Sequence, residues 1–566
     1  MTWHCYQFEV NSIQRWIFGS GKLRAIVGGS RLVSGITDEL LERTLDALPG
    51  EAGDRIEFAR QAGGVFTALS EDETALGELR RVWPLMVSRY TPGLSFGIGY
   101  GCGDTVKAAM DAARADIGAR GALPQAELPA ATPVMERSRR TGRAAGRIED
   151  KEPADAITAA QLAAEQRGRD GAGSKDIGTR LAEKLGLAPD CWPRDMEPRE
   201  NEGESSFPFL RDEPQDGDDK EKGTIINRYV ALVHADGNGL GQLMRELKFS
   251  GGQEGIDERL RFSKALEDAT FEACLHACRQ VLLPYRTEDD RLPARPILLG
   301  GDDLSFIVRA DLALHFTKVF LEAFEKETKQ RLSGFNGISD EGLTACAGIA
   351  YLRSNQPFYM GMELAEALCD HAKKQVREQI LYWHHQSDDP DGPMPPMFSA
   401  LCQHRCTDSL ISDWEALLKG SLTISNLNDK GKPFRLSMET WALHWGNEYG
   451  FPPIDALFDL LEFFEESAIA RGPARKLVGL VGTEPTLVAQ KYRRWREMLG
   501  KAEKDGMLEA RFRELIKVGV ETDTHADGPF LDWITHWATP IPEVLALKAM
   551  GAPAKLKLAI NKEAAA

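Results

Sequence analysis

The chain has 566 residues, is 42% hydrophobic and carries a formal net charge of −17. That length and apolar content support three or four ordinary cores and exclude a low-complexity or fibrous protein. The acidic balance excludes a globally basic nucleic-acid binder, so nucleic-acid contact has to come from local patches or from more basic partner subunits.

No uninterrupted apolar run of about 18 residues occurs, and the opening MTWHCYQFEV lacks the basic and apolar regions of a secretory signal. Both features point to a cytoplasmic location without membrane contact. Nine cysteines are scattered along the chain without a small-domain framework, which suits reduced thiols.

In chain order, HCYQFEV (4–10) predicts a strand followed by a long helical stretch. RIEFARQAGGVFTALSE, from Arg55, predicts two strands joined at Gly63 and Gly64. ELRRVWPLMVSRY predicts a helix, LSFGIGYG from Leu94 a strand, and DTVKAAMDAARADIG a second helix. This βαββαβ order predicts a ferredoxin-like palm domain over residues 1–125. Residues 126–224 read as an inserted linker region, helical around ADAITAAQLAAEQ. It ends in the acidic, Pro/Gly-rich PRENEGESSFPFLRDEPQDGDDKEKG, a mobile stretch by composition.

The same order returns in RYVALVHA from Arg228, a helix through ALEDATFEACLHACRQVL, and the hairpin PILLGGDDLSFIV. A helix from about Ala310 to Arg331, the strand LTACAGIAYL and the helix MELAEALCDHAKKQVREQI complete it. Residues 225–395 are therefore expected to be a second palm. Beyond it, WALHWGNEYG, IDALFDLLEFFEESAIARG and YRRWREMLGKAEKDGM predict a C-terminal helical domain over 396–566. The fold class is α+β: two ferredoxin-like palms, a linker insertion and a helical C-terminal domain.

Two cysteine pairs, Cys274 with Cys278 and Cys402 with Cys406, bracket histidines, but the spacing departs from the two-residue zinc knuckle. The first pair lies in an amphipathic helical pattern, where cysteine acts as a small hydrophobe. HHQSDDPDG, from His384, reads as a polar loop rather than a hydrolytic metal site. In KYRRWREML, the arginines around Trp495 read as a solvated helix face anchored by the indole, with RNA contact the less favoured alternative.

Aligned by order, AGGVF of the first unit falls over GGDDL of the second, so Val65 and Phe66 stand where Asp302 and Asp303 stand. Asp236, ending its strand in HADGNG, falls opposite Glu9 and Val10. A glycine-rich turn does not itself require acids. Their presence in one copy alone points to chemistry, because the first strand's end and the neighbouring hairpin converge in a palm sheet. Asp236, Asp302 and Asp303 offer hard oxygen ligands suited to two Mg²⁺ or Mn²⁺ ions. Such ions would bridge nucleotide phosphates, activate a ribose hydroxyl and stabilise departing pyrophosphate. Gly300 and Gly301 supply a tight turn open to a nucleotide, and Gly237, Asn238 and Gly239 shape the adjoining loop. Lys373 and Lys374 offer counter-charge for the polyphosphate, with a solvated helix face as the alternative.

These motifs, together with AGIAYLRSNQPFYMGMELAEALCDHAKK and NSIQRWIFGSGKLRAIVGGSRLVSG, resemble the large polymerase-cyclase subunit of type III CRISPR effector complexes over roughly residues 1–390. The resemblance implies that the second palm converts ATP into cyclic oligoadenylate messengers for antiviral defence, with Asp236, Asp302 and Asp303 both catalytic and metal-binding. It also implies type III backbone subunits, guide RNA and target RNA as partners, and allows self-association through the palms. The chain departs from the family pattern in starting at the first palm, without a histidine-aspartate nuclease domain, and in keeping only the basic fragment MERSRRTGRAAGRIEDKEP where many members carry a zinc element. A stand-alone relative is the corresponding variant of this reading. The alternatives are a non-catalytic scaffold that binds nucleotide or RNA, and a cyclase making another product. A guanine-specific cyclase fits less well, because Leu304 follows Asp303 where Phe follows Glu in the diguanylate enzymes.

Overall fold

The computed structural model describes residues 2–556 apart from 122–130, 150, 171–175, 197–205, 212–224, 248, 336–337, 339–341, 387–391, 393, 407–412, 425–431, 445–449, 467–470, 481–484, 503–506, 519–527 and 533–535. Most of the acidic stretch before residue 225, and the HHQSDDPDG segment beyond Gln386 except Gly392, lie outside the described residues.

The first unit runs β1 (Trp3–Asn11), α1 (Ile13–Phe18), α2 (Leu23–Gly35), β2 (Glu57–Ala62), β3 (Val65–Ser70), α3 (Glu73–Tyr90), β4 (Ser95–Gly103) and α4 (Val106–Arg120). Its sheet has the order β2-β3-β1-β4, with neighbouring strands antiparallel. Alternation along β1 sends Tyr6 and Phe8 to one face, where Phe8 meets Phe66, Trp83 and Phe96 at ring separations of 5.3–5.4 Å. Helix α5 (Ala156–Arg169), from the linker, crosses α2 where Gly28 leaves no room for a side chain: a Cβ there would lie 1.8 Å from the Gln161 carbonyl oxygen.

The second unit runs β5 (Tyr229–Gly237), α6 (Leu240–Glu246), α7 (Gly252–Ala277), β6 (Ala294–Gly300), β7 (Asp303–Arg309), α8 (Ala313–Leu332), β8 (Ala345–Arg353) and α9 (Phe358–Gln386). The near-continuous apolar run of β5 reflects burial on both faces. Ala231, Val233 and Ala235 pack with α7 and α8, while Val230 and Leu232 join the core that includes α9 and the first palm.

The C-terminal part carries strands in addition to the expected helices. Strand β9 (Ala400–Arg405) pairs parallel to β8, and β10 (Thr440–Ala442) pairs with β9, giving a six-stranded sheet β6-β7-β5-β8-β9-β10. WALHWGNEYG, expected as a helix, therefore begins as an edge strand, because Trp441 is fully buried and Thr440 and Ala442 pair with Cys402 and Ala400. Four further two-residue strands form a small sheet in this region, accompanied by helices α10 (Ile454–Glu466), α11 (Arg471–Leu480), α12 (Pro485–Ala502) and α13 (Ile541–Ala549). Trp495 is buried at 1% exposure within α12. Among the described residues, no helix is long and apolar enough to cross a membrane.

Candidate active site

The two hairpins share an internal landmark that fixes their equivalence. Each carries a bulge in its first strand, between Phe58 and Arg60 in one and between Pro296 and Leu298 in the other. Counting from the bulge, the first hairpin closes with Ala62 opposite Val65 and the second with Gly300 opposite Asp303. The sequence alignment is therefore one residue out: Asp302 corresponds to Gly64 and Asp303 to Val65. The glycine pairs misled because they do different things. Gly63 and Gly64 both sit in the first turn with φ of 62° and 74°, whereas Gly300 ends its strand and only Gly301, at φ 62°, opens the second turn.

The same registry equates Glu9 with Asp236, since Glu9 pairs with Val65 and Leu304 pairs with Ala235 one step before Asp236. Ser12 and Gly239 then coincide as left-handed residues, φ 53° and 67°, that start α1 and α6.

This alignment exposes a reciprocal exchange of side-chain size. At Gly237 an added Cβ would lie 2.6 Å from Asp302 Oδ2, so glycine there makes room for the carboxylate. In the first palm the corresponding Val10 fills that space, and a Cβ on Gly64 would come to 3.2 Å of Val10 Cγ2. One palm holds a small residue under an acid; the other holds a valine under a glycine.

Asp236, Asp302 and Asp303 each present a carboxylate oxygen within 4.8 Å of the others. They form the single cluster of metal-ligating type among the described residues. Lys373 on α9 contacts Asp236 Oδ2 and donates to the Gly237 carbonyl at 2.9 Å. Burial pushes the Asp236 carboxyl up, but Lys373 and a hydrogen bond from Asp303 outweigh it and hold Asp236 below its ordinary value. Burial, then the Asp236 charge, pushes Asp302 up to about 6. Burial, then the charges of Asp236 and Asp302, pushes the Asp303 carboxyl well above its ordinary value. The cluster thus has more negative charge than its one lysine balances, and the excess is what a hard divalent cation would relieve. Its oxygen-only donor set fits Mg²⁺ or Mn²⁺.

The remaining expected residues divide. Gly300 and Gly301 form the strand end and turn beside the cluster, and Gly239 caps α6. Asn238 Nδ2 donates to Thr344 Oγ1 at 2.9 Å and to the Phe398 carbonyl at 3.2 Å, which ties the β5 end to the neighbouring loops. Lys374 is not brought to the cluster: it is 61% exposed and pairs with Glu415 at 3.7 Å. Two residues that sequence reasoning missed hold the acidic hairpin. Thr270 Oγ1 on α7 donates to the Gly301 carbonyl at 2.6 Å, and Ser30 Oγ on α2 contacts the carbonyl of Ile297 at the bulge. A hydroxyl inside a helical pattern carries no sign of a partner remote in sequence. His234, two residues before Asp236, is buried against Ser305 Oγ at 3.2 Å, and burial pushes its imidazole down to about 4, so it stays neutral.

Residues 229–381 match the family described as Cas10/Cmr2, second palm domain. No curated protein matches the chain. Among solved structures, the Csm1-Csm4 cassette in complex with AMPPNP is similar at 13% identity and a TM-score of 0.35, over 66% of this chain and 53% of that chain. The cassette in complex with cA3 gives 14% and 0.38 over the same shares. The Csm1-Csm4 subcomplex of the type III-A CRISPR-Csm interference complex gives 13% and 0.39, again over 66% and 53%. The chain thus spans about half the length of these matched chains. The resemblance carried by the sequence motifs holds over residues 229–381, which form a Cas10/Cmr2-type second palm domain.

Proposed function

We propose that this protein is a metal-dependent nucleotidyltransferase that joins and cyclises ATP into cyclic oligoadenylates. It would act with type III backbone subunits, a guide RNA and a target RNA. The observation that carries the reading is the convergence of Asp236, Asp302 and Asp303 at the end of β5 and its neighbouring hairpin, in the palm that matches Cas10/Cmr2. The match brings ATP and the type III partners into the proposal; the carboxylates bring the chemistry.

In this reading Asp236, Asp302 and Asp303 hold two Mg²⁺ or Mn²⁺ ions. When bound, such ions acidify the attacking ribose hydroxyl and offset charge on the triphosphate and departing pyrophosphate. The chain's own residues set the stage. Lys373 keeps Asp236 ionised and fixes the Gly237 carbonyl, while Thr270 and Ser30 hold the hairpin's backbone. The glycines leave the hairpin tip without side chains, so a nucleotide can approach the backbone closely.

The test is incubation of purified protein with labelled ATP or GTP and Mg²⁺ or Mn²⁺, with and without guide-bearing partners and target RNA, resolved by chromatography and mass spectrometry. A cyclic adenylate is expected from the natural chain, and an Asp302→Ala, Asp303→Ala double variant should lose at least about 10³-fold of it. Absence of product under every condition, or equal product from the double variant, would leave a nucleotide-binding scaffold as the better description.

A further inference from the structure

The palms face one another through their hairpin tips. A Cβ added to Gly300 would lie 3.5 Å from the Cα of Gly63, so the first palm's turn abuts the acidic one. One long side chain reaches across this junction. The Arg60 guanidinium, on β2, comes within 3.9 Å of where a Cβ on Gly301 would be, and its charge reaches Asp302. Arg60 is exposed, and among the described residues it forms no ion pair and no side-chain hydrogen bond. Its neighbours in charge are committed: Lys373 to Asp236 and the Gly237 carbonyl, Lys374 to Glu415.

The ladder shows how unlike its counterpart this residue is. Arg60 stands opposite Thr67 just past the bulge, and the equivalent station in the second palm is Leu298, opposite Ser305 and buried. The palm without the acid hairpin thus places a cation where the acid-bearing palm places a core leucine.

We propose that Arg60 is an anion subsite donated by the first palm, binding the phosphate chain of the nucleoside triphosphate held at Asp236, Asp302 and Asp303. The inference rests on the nucleotidyltransferase reading above and adds to it a residue from the other domain. A guanidinium with all its donors free matches phosphate oxygens in a planar, two-pronged geometry. Gly301, without a side chain, leaves the space beside the guanidinium open. Simple neutralisation of Asp302 would bring the two groups into an ion pair, and no such pair forms.

The test is calorimetric titration of the full chain with ATP, ADP and adenosine in Mg²⁺, comparing the natural protein with Arg60→Ala and Arg60→Lys. Arg81→Ala serves as the control, since Arg81 pairs with Glu78 on the outer helix α3. Arg60→Ala is expected to weaken ATP binding about tenfold or more, the loss of a charge-assisted contact, and to leave adenosine binding unchanged. Arg60→Lys should recover part of the loss and Arg81→Ala should match the natural chain. ATP affinity within twofold of the natural chain in Arg60→Ala overturns the inference and leaves the functional reading intact. Failure of the natural chain to bind ATP in Mg²⁺ or Mn²⁺ overturns that reading, and this inference with it.

Discussion

At the scale of single residues, the site depends on a few exchanges of size and charge. Gly237 under Asp302, against Val10 under Gly64, shows why one palm accommodates a carboxylate and its twin does not. The two adjacent lysines test the charge side of the account. Lys373 sets the ionisation of Asp236, so Lys373→Met is expected to lower product formation about 100-fold. Among the described residues Lys374 pairs with the exposed Glu415, so Lys374→Met should stay within about twofold of the natural rate. Parallel rate measurements decide it, and equal losses would contradict the placement. The sequence displayed both lysines and all three acids. It could not separate Lys373 from Lys374, because either can face the sheet until the packing of α9 fixes its rotation. Thr270, Ser30 and Arg60 were illegible for a related reason: each acts on a segment far away in the chain, and residue type alone does not report that.

At the scale of elements, alternation and turn chemistry made the strands and hairpins readable, whereas registry required the ladder. The glycine pairs suggested an alignment that the matching bulges at Phe58/Arg60 and Pro296/Leu298 move by one residue. Edge strands were the weaker case. Thr440–Ala442 is only three residues long and carries no period long enough to distinguish it from a helix.

The C-terminal helix α13 gives an element-scale prediction. Glu543 accepts from Ser437 Oγ at 3.0 Å and from the Met438 amide at 3.3 Å, and burial pushes its carboxyl up to about 8. The folded chain therefore keeps a proton that the unfolded chain releases above its ordinary value of 4.5, so stability falls as pH rises from 4.5 to about 8 and levels off beyond. In Glu543→Gln that contribution disappears. The Tm of the variant minus that of the natural chain should become more positive across this window; parallel profiles would show that Glu543 does not titrate this way.

At the scale of the whole molecule, the chain is built on a duplicated palm whose copies have diverged in a complementary manner. The duplication was legible because each copy repeats the same order of periodic segments. The meeting of the hairpin tips was not, since glycines facing glycines leave no hydrophobic pattern behind. The extension of the second sheet by Ala400–Arg405 and Thr440–Ala442 also couples the C-terminal region to the palm that carries the acids. If the converged carboxylates hold cations for a triphosphate, Mn²⁺ binding followed by electron paramagnetic resonance in the presence of ATP will show it. Two bound Mn²⁺ per natural chain, with both weakened or lost in Asp303→Asn, is the expected result. No binding by the natural chain, or the same stoichiometry and affinity in the variant, would contradict the account.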